Sequence, residues 1–325
     1  MPLLEINSLT VDYRTSRGAI RAVENVSFAL KKGETLGLVG ESGSGKSTLG
    51  LSIIRLVSYP GVIVKGHVKI DGKDIVRLPE HELRSVRGGK VAYIFQDPMT
   101  SLNPVKKISA HFVELIRTHE PNVNREEALE RAKTVLKDLG IRPERINDYP
   151  HQFSGGMRQR IMIGLAIALN PGVVIADEPT TALDVIVQEK TLDLLESLRN
   201  AYGMALILIS HDLSIILERC DRVIVMYAGH MLEHASSTEL HKNPMHPYTQ
   251  GLLQSIPNVE LADQKLAAIP GSPPNMLNPP RGCRFWPRCS YAKKICRTKE
   301  PPLIDIGHNH LVRCFKYHKS WSKVE

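Results

Sequence analysis

The stretch Gly40-Glu41-Ser42-Gly43-Ser44-Gly45-Lys46-Ser47-Thr48 constrains this chain more than any other, because it follows an apolar run, Leu36 to Val39, and opens a helical pattern. Strand, glycine-rich turn and helix in that order make a phosphate-binding loop. The glycines let backbone N–H groups converge on phosphate oxygens, and the helix N-terminus adds the positive end of its dipole. In such a loop Lys46 reaches the β- and γ-phosphates of a nucleotide, and the Ser47 hydroxyl ligates Mg2+. A buried strand must back the loop, so an α/β chain is expected.

The wider pattern agrees. Short apolar runs at Leu36 to Val39, Val91 to Phe95, Val173 to Ala176 and Ala205 to Ile209 read as buried strands, and helical segments separate most of them. That predicts a mostly parallel sheet covered by helices. Residues 3 to 33 alternate apolar and polar side chains around Ser16-Arg17-Gly18, which reads as two or three antiparallel strands. From about residue 100 to 170 the alternation is interrupted by mainly helical sequence, clearest in the amphipathic stretch Arg125 to Leu139, and this reads as an inserted helical subdomain. No apolar run approaches the roughly 18 residues that would span a bilayer. The opening Met-Pro-Leu-Leu-Glu-Ile lacks the regions of a secretory signal, so a cytosolic chain with reduced or metal-bound cysteines is expected.

Composition shifts near residue 257, beyond which Pro, Gly and Asn punctuate the chain and apolar periodicity weakens. Boundaries follow: a domain over 1–256 that carries the phosphate loop and a loop-rich extension over 257–325. The extension holds four of the five cysteines. Residues 281–325 also carry eleven Lys or Arg against three Asp or Glu, an excess equal to the whole net charge of +8. Such a basic tail suits nucleic acid, anionic lipid, a buried anionic group or plain solvent.

Two further motifs complete the chemistry. Val173-Val174-Ile175-Ala176-Asp177-Glu178 is an apolar strand ending in two carboxylates, with Asp177 suited to hold Mg2+ and Glu178 to polarise an attacking water. Upstream lies Phe153-Ser154-Gly155-Gly156-Met157-Arg158-Gln159-Arg160, and here the chain resembles the ATP-binding cassette family. The resemblance implies an ATPase of the P-loop NTPase (RecA-like) α/β class, working as a dimer in which each ATP lies between the phosphate loop of one subunit and the Ser-Gly-Gly signature of the other. Ser154, Gly155, Gly156 and Asp184, the last in Ala182-Leu183-Asp184, would then contact the partner's nucleotide. Ser42, Gly43, Ser44, Gly45, Lys46, Ser47, Thr48 and Asp177 would bind the chain's own ATP. Gln96 would sense Mg2+ and water, Glu178 would serve catalysis, His211 would contact the γ-phosphate, and Tyr13 would stack on adenine. Met157 stands where the family usually has Gln.

The segments Asn243-Pro244-Met245-His246-Pro247-Tyr248-Thr249-Gln250-Gly251-Leu252-Leu253 and Ile269-Pro270-Gly271-Ser272-Pro273-Pro274 resemble the oligopeptide, dipeptide and nickel importer branch. That branch implies two transmembrane permease subunits, a second cassette ATPase and, indirectly, an extracytoplasmic peptide-binding protein, with no nucleic acid and a peripheral place on the cytoplasmic face of the membrane. Cys283, Cys289, Cys296 and Cys314 are separated by five, six and seventeen residues, too loose for a zinc ribbon but suited to four thiolates around one centre. Four sulfurs suit zinc or an iron–sulfur cluster. Branch members with this cysteine pattern carry a [4Fe-4S] cluster, and by resemblance it is expected here, with Zn2+ the alternative. Arg284, Arg288, Arg313 and Lys316 would offset its charge, while His308, His310 and His318 read as solvated and Cys220 as a small buried residue. A soluble cassette ATPase acting on nucleic acid or ribosomes is the competing reading. It lacks the coiled coils, zinc insertions or second cassette expected of that class.

Overall fold

A computed structural model describes residues 2–96, 101–181, 184–256 and 268–321. The strands, in chain order, are β1 (Leu4–Thr15), β2 (Gly18–Leu30), β3 (Thr35–Val39), β4 (Gly61–Ile70), β5 (Lys73–Asp74), β6 (Val91–Ile94), β7 (Val173–Asp177), β8 (Ala205–Ser210), β9 (Arg222–Tyr227), β10 (His230–Ser236), β11 (Ile304–Asp305) and β12 (Leu311–Val312). The helices are α1 (Lys46–Ile53), α2 (Glu80–Val86), α3 (Ile108–His119), α4 (Arg125–Asp138), α5 (Gly155–Ile167), α6 (Val185–Tyr202), α7 (Leu213–Arg219), α8 (Ser237–Lys242), α9 (Pro247–Gln254) and α10 (Lys294–Thr298). They divide into two compact units, the first comprising residues 1–4, 30–34 and 70–207, the second residues 5–29, 35–69 and 208–325. Strand β8 is shared between them.

In the first unit β6 and β7 pair in parallel, Val91 opposite Val173 and Tyr93 opposite Ile175. Every residue of β7 is buried, so this apolar strand has no solvated face, as the parallel arrangement requires. The expected helical insertion is present. Ile108, Phe112 and Ile116 recur every four residues and put one side of α3 into a core with Ala128, Ala132, Val135 and Leu136 of α4. Helix α4 starts where the sequence supplies a capping box, Asn124 Oδ1 accepting from Glu127 N at 2.9 Å while Glu127 returns an acceptor to Asn124 N at 3.2 Å.

In the second unit β3 and β9 pair in parallel, Leu36 opposite Arg222 and Val39 opposite Val225. From β9 outward the pairing turns antiparallel, in the order β9-β10-β12-β11. Strands β2, β1 and β4 neighbour one another in a second sheet. Ser8 N meets Ser27 Oγ and Asn25 N meets Thr10 Oγ1, so β1 and β2 run in opposite senses, as the turn at residues 16–18 predicts. Among its described residues the extension is loop-rich, with one short helix and two two-residue strands, yet it joins the core: β12 pairs with β10 through Val312–Glu233 and Leu311–His234, and Phe285, Val312 and Phe315 are buried. The shift in composition at residue 257 falls at the start of 257–267, outside the described residues. Among the described residues no helix is long and apolar enough to cross a membrane.

Candidate nucleotide site and the cysteine-bearing extension

The phosphate loop joins β3 to α1 and its shape is dictated by close approach. Gly40 has φ 151°, and a Cβ there would stand 2.1 Å from Met226 O; Gly45 has φ 103°, and a Cβ would stand 2.2 Å from Ala22 O. No side chain caps α1, because Gly45 is its N-cap, so the helix presents backbone N–H groups at its start. Lys46 is buried, and its Nζ donates to Gly40 O at 2.7 Å and to Glu41 O at 3.1 Å, which holds the ammonium inside the curve of the loop. An uncapped helix start beside a fixed cation suits a polyphosphate. The Tyr13 hydroxyl lies 3.4 Å from Thr48 Oγ1, so this ring reaches α1. His211 directly follows β8 and is exposed.

The acidic strand end is built in the first unit. Asp177 is buried and accepts from the Tyr93 hydroxyl at 2.7 Å; burial first, and the carboxylate second, push the Tyr93 phenol far above its ordinary range, so it remains a donor. Glu178 takes φ 45°, a left-handed backbone costly for any residue but glycine. Its Oε2 accepts from Gln96 Nε2 at 3.0 Å and Thr181 Oγ1 at 2.9 Å. Gln96 and Glu178, named separately from sequence, are thus brought together. Tyr93 and Thr181 were missed; their only sequence signal is a hydroxyl three or fewer residues from a motif.

The signature forms the N-terminus of α5. Ser154 is the N-cap, its Oγ accepting from Met157 N at 3.4 Å. Gly155 has open space around it, whereas a Cβ on Gly156 would meet Val187 Cγ1 of α6 at 2.9 Å. Arg145, which sequence reading passed over, binds the segment together: its guanidinium lies over the Phe153 ring at 4.1 Å, donates to Gln152 O at 2.8 Å and reaches Met157 Sδ at 3.7 Å. Met157 therefore keeps an acceptor toward Arg145 where the family usually has an amide. Asp184 caps α6, accepting from Val187 N at 2.9 Å, while Ala182 and Leu183 lie outside the described residues.

Cys283, Cys289, Cys296 and Cys314 line one small cavity, walled otherwise mainly by rings and prolines. Among the described residues no group of three or more His, Cys, Asp or Glu side chains is placed to hold a metal ion, while Cys283 lies near enough to the other three cysteines to feel their charge. Burial, with neighbouring cysteines adding, pushes the Cys283 thiol up to about 12 and that of Cys314 up to about 11, and raises Cys289. Lys316 favours the thiolates of Cys289 and Cys314 as expected, and the basic residues also have partners that the sequence did not indicate. Arg284 binds Glu24 and Ala228 O, Arg313 binds Glu300 at 2.8 Å, Arg288 binds Glu41 at 2.7 Å, and Lys316 covers the Tyr291 ring at 4.6 Å. His308 and His318 are exposed as expected and Cys220 is buried. His310 corrects its expectation: it is buried and pairs through Nε2 with the fully buried Glu233 at 2.7 Å, because β12 brings it onto β10.

A strand-loop-helix phosphate receptor, a carboxylate-terminated parallel strand and a Ser-Gly-Gly helix start define an ATP-binding cassette, and this chain belongs to that family and to its oligopeptide/dipeptide transporter branch. Residues 23–181 match the family model for ABC transporters, and residues 232–296 that for the oligopeptide/dipeptide transporter C-terminal region. The chain is 45% identical to the oligopeptide transport ATP-binding protein OppD of Bacillus subtilis, over 99% of this chain and 91% of that protein. It is 43% identical to OppD of Escherichia coli, over 97% and 93%. Among solved structures, the dimeric MJ0796 cassette bound to ADP and Pi covers 72% of this chain and 98% of its own at 30% identity, with a TM-score of 0.64.

Proposed function

We propose that this chain is the ATP-binding and ATP-hydrolysing subunit of an importer of di- and oligopeptides. It works as half of a nucleotide-sandwich dimer against two permease subunits on the cytoplasmic face of a membrane. The observation that carries this reading is the phosphate loop, with Lys46 held inside it and α1 opening uncapped, in a chain 45% identical to an oligopeptide transport ATP-binding protein over nearly its whole length. We retain residues 1–256 as the ATPase domain and 257–325 as its extension.

In this reading Lys46 holds the β- and γ-phosphates and Ser42 to Thr48 supply the loop's donors. Tyr13 stacks on the base and His211 meets the γ-phosphate. Ser47, Gln96 and Asp177 offer the oxygen ligands that Mg2+ prefers, and Asp177 fits the ion as a carboxylate already buried at a strand end. Bound there, Mg2+ neutralises phosphate charge. Glu178 accepts a proton from the attacking water while Gln96, its hydrogen-bond partner, orients it. Ser154, Gly155, Gly156 and Asp184 complete the site of the other subunit. Co-purification with permease chains, and peptide uptake into vesicles that depends on ATP and is lost in Lys46→Ala, would support the reading. Hydrolysis stimulated by nucleic acid and indifferent to permease would overturn it.

The four cysteines fit a thiolate-bound metal centre by their chemistry: four soft sulfur donors line one cavity, and the Cys283 thiol, raised by burial and then by the other cysteines, ionises where a positive centre offsets that charge. We assign Cys283, Cys289, Cys296 and Cys314 to such a centre, a [4Fe-4S] cluster before Zn2+. Anaerobic purification with metal analysis and a visible spectrum distinguishes the two. Full iron and zinc content retained in a Cys283→Ser, Cys289→Ser double variant would remove the assignment.

A further inference from the structure

The phosphate loop is gripped from the C-terminal extension. Glu41, its second residue, accepts two hydrogen bonds on separate carboxylate oxygens from one guanidinium, Arg288 Nη1 at 2.7 Å and Nη2 at 3.0 Å. The Arg288 side chain is only 6% exposed and that of Glu41 27%, so this fork is largely withdrawn from solvent. The guanidinium is itself fixed, donating from Nε to Pro270 O at 2.8 Å and lying over the Tyr227 ring at 5.7 Å. Glu41 is also held by its backbone, its N–H donating to the Tyr248 hydroxyl at 2.9 Å. Tyr227, Tyr248 and Phe285 pack ring to ring with centroids 4.8 to 5.4 Å apart, which stiffens both anchors. Pro273, Pro274 and Met276 share a small cavity with Glu41, Ser42, Gly43 and Ser44.

We propose that Arg288 is a positioning residue for nucleotide binding: by pairing with Glu41 it pins the phosphate loop in its receptive shape and draws a negative charge away from the incoming phosphates. The argument rests on the reading of residues 40–48 as the nucleotide loop. Two physical effects act in the same direction. A loop already ordered has less conformational freedom to lose on binding. A carboxylate left unpaired beside a triphosphate repels it, and low local dielectric strengthens that repulsion. Arg288 adjoins Cys289, so the loop is linked through one peptide bond to the cysteine cavity.

The test is equilibrium titration of the full chain with a fluorescent ATP analogue and Mg2+, beside thermal melting of each variant. Arg288→Ala should weaken binding about tenfold, and Arg288→Lys, which keeps the charge and loses the fork, about threefold. Glu41→Gln in the Arg288→Ala background should restore affinity to that of Glu41→Gln alone, a rescue that a merely structural role would not produce. Tyr248→Phe removes only the hydroxyl that holds Glu41 N, leaves its ring against Phe285, and should weaken binding about twofold to threefold. Unchanged affinity in Arg288→Ala and Tyr248→Phe, or losses that simply add in the double variant, would overturn the proposal. The underlying loop reading fails separately, if Lys46→Ala binds the analogue as tightly as the unmodified chain.

Discussion

At the scale of single residues, Glu178 is the group proposed to take the proton of the attacking water. A left-handed backbone at a non-glycine residue persists only where the surroundings over-determine it, and here Gln96 and Thr181 both hold the carboxylate. Glu178→Gln keeps the size and the contacts but cannot take a proton. Hydrolysis should fall at least about 100-fold while ATP binding is retained, measured as phosphate release beside an equilibrium titration. Retained turnover would remove Glu178 from its role. The sequence told which residue carries the carboxylate, because an apolar run ending in Asp-Glu is written in consecutive letters. It did not tell that Tyr93, on the neighbouring strand, donates to Asp177, since that contact depends on parallel register and not on spacing. Arg145 was hidden for the same reason: its grip on Phe153 and Met157 spans residues with no periodic relation.

At the scale of elements, α5 must start where it does and lie close to α6. Ser154 caps it, and Gly156 leaves room that Val187 fills. Gly156→Ala should lower the melting temperature by a few degrees through the 2.9 Å clash, and adding Val187→Ala should return most of the loss. No recovery would mean that Gly156 is required by something other than this packing. Strand β10 carries a different liability. Burial first, then Arg222, whose Nη1 lies 3.2 Å from the His234 Nε2, lowers the His234 pKa to about 4. The unfolded chain protonates this histidine near 6.5, so the stability it contributes is complete above 6.5 and is lost as pH falls from about 6.5 to about 4. His234→Gln should flatten part of that fall, by on the order of a few kcal/mol across the window, read as melting temperature against pH. An identical pH slope in the variant would show that His234 is not the group responsible. Helices and buried strands were legible because their periodicity is local, whereas β11 and β12, two residues each, are too short to carry any.

At the scale of the whole molecule, the extension decides how the boundary at residue 257 should be understood. A composition rich in Pro and Cys reads as an appendage, yet β12 covers the edge of β10, and Phe285, Val312 and Phe315 are buried. Burying each such side chain contributes about 1.5 to 3 kcal/mol. His310 meets the carboxylate of Glu233, which is fully buried and also accepts from Met245 N at 2.7 Å and His246 N at 2.9 Å. Arg284 reaches back to Glu24 of β2. Ending the chain at residue 256 would strip a hydrogen-bond partner from a buried carboxylate and turn β10 into an exposed edge strand, a template for aggregation. The shortened chain should melt at least about 10 °C below the full one or fail to stay in solution, because several kcal/mol are removed and each shifts a domain of this size by about 2 to 4 °C. If it instead melts within about 2 °C of the full chain and binds ATP equally well, the extension is an independent appendage. The 1–256 boundary would then mark a separately folding ATPase, whereas the contacts of Glu233 and Glu24 make it a boundary of composition, crossed by the core.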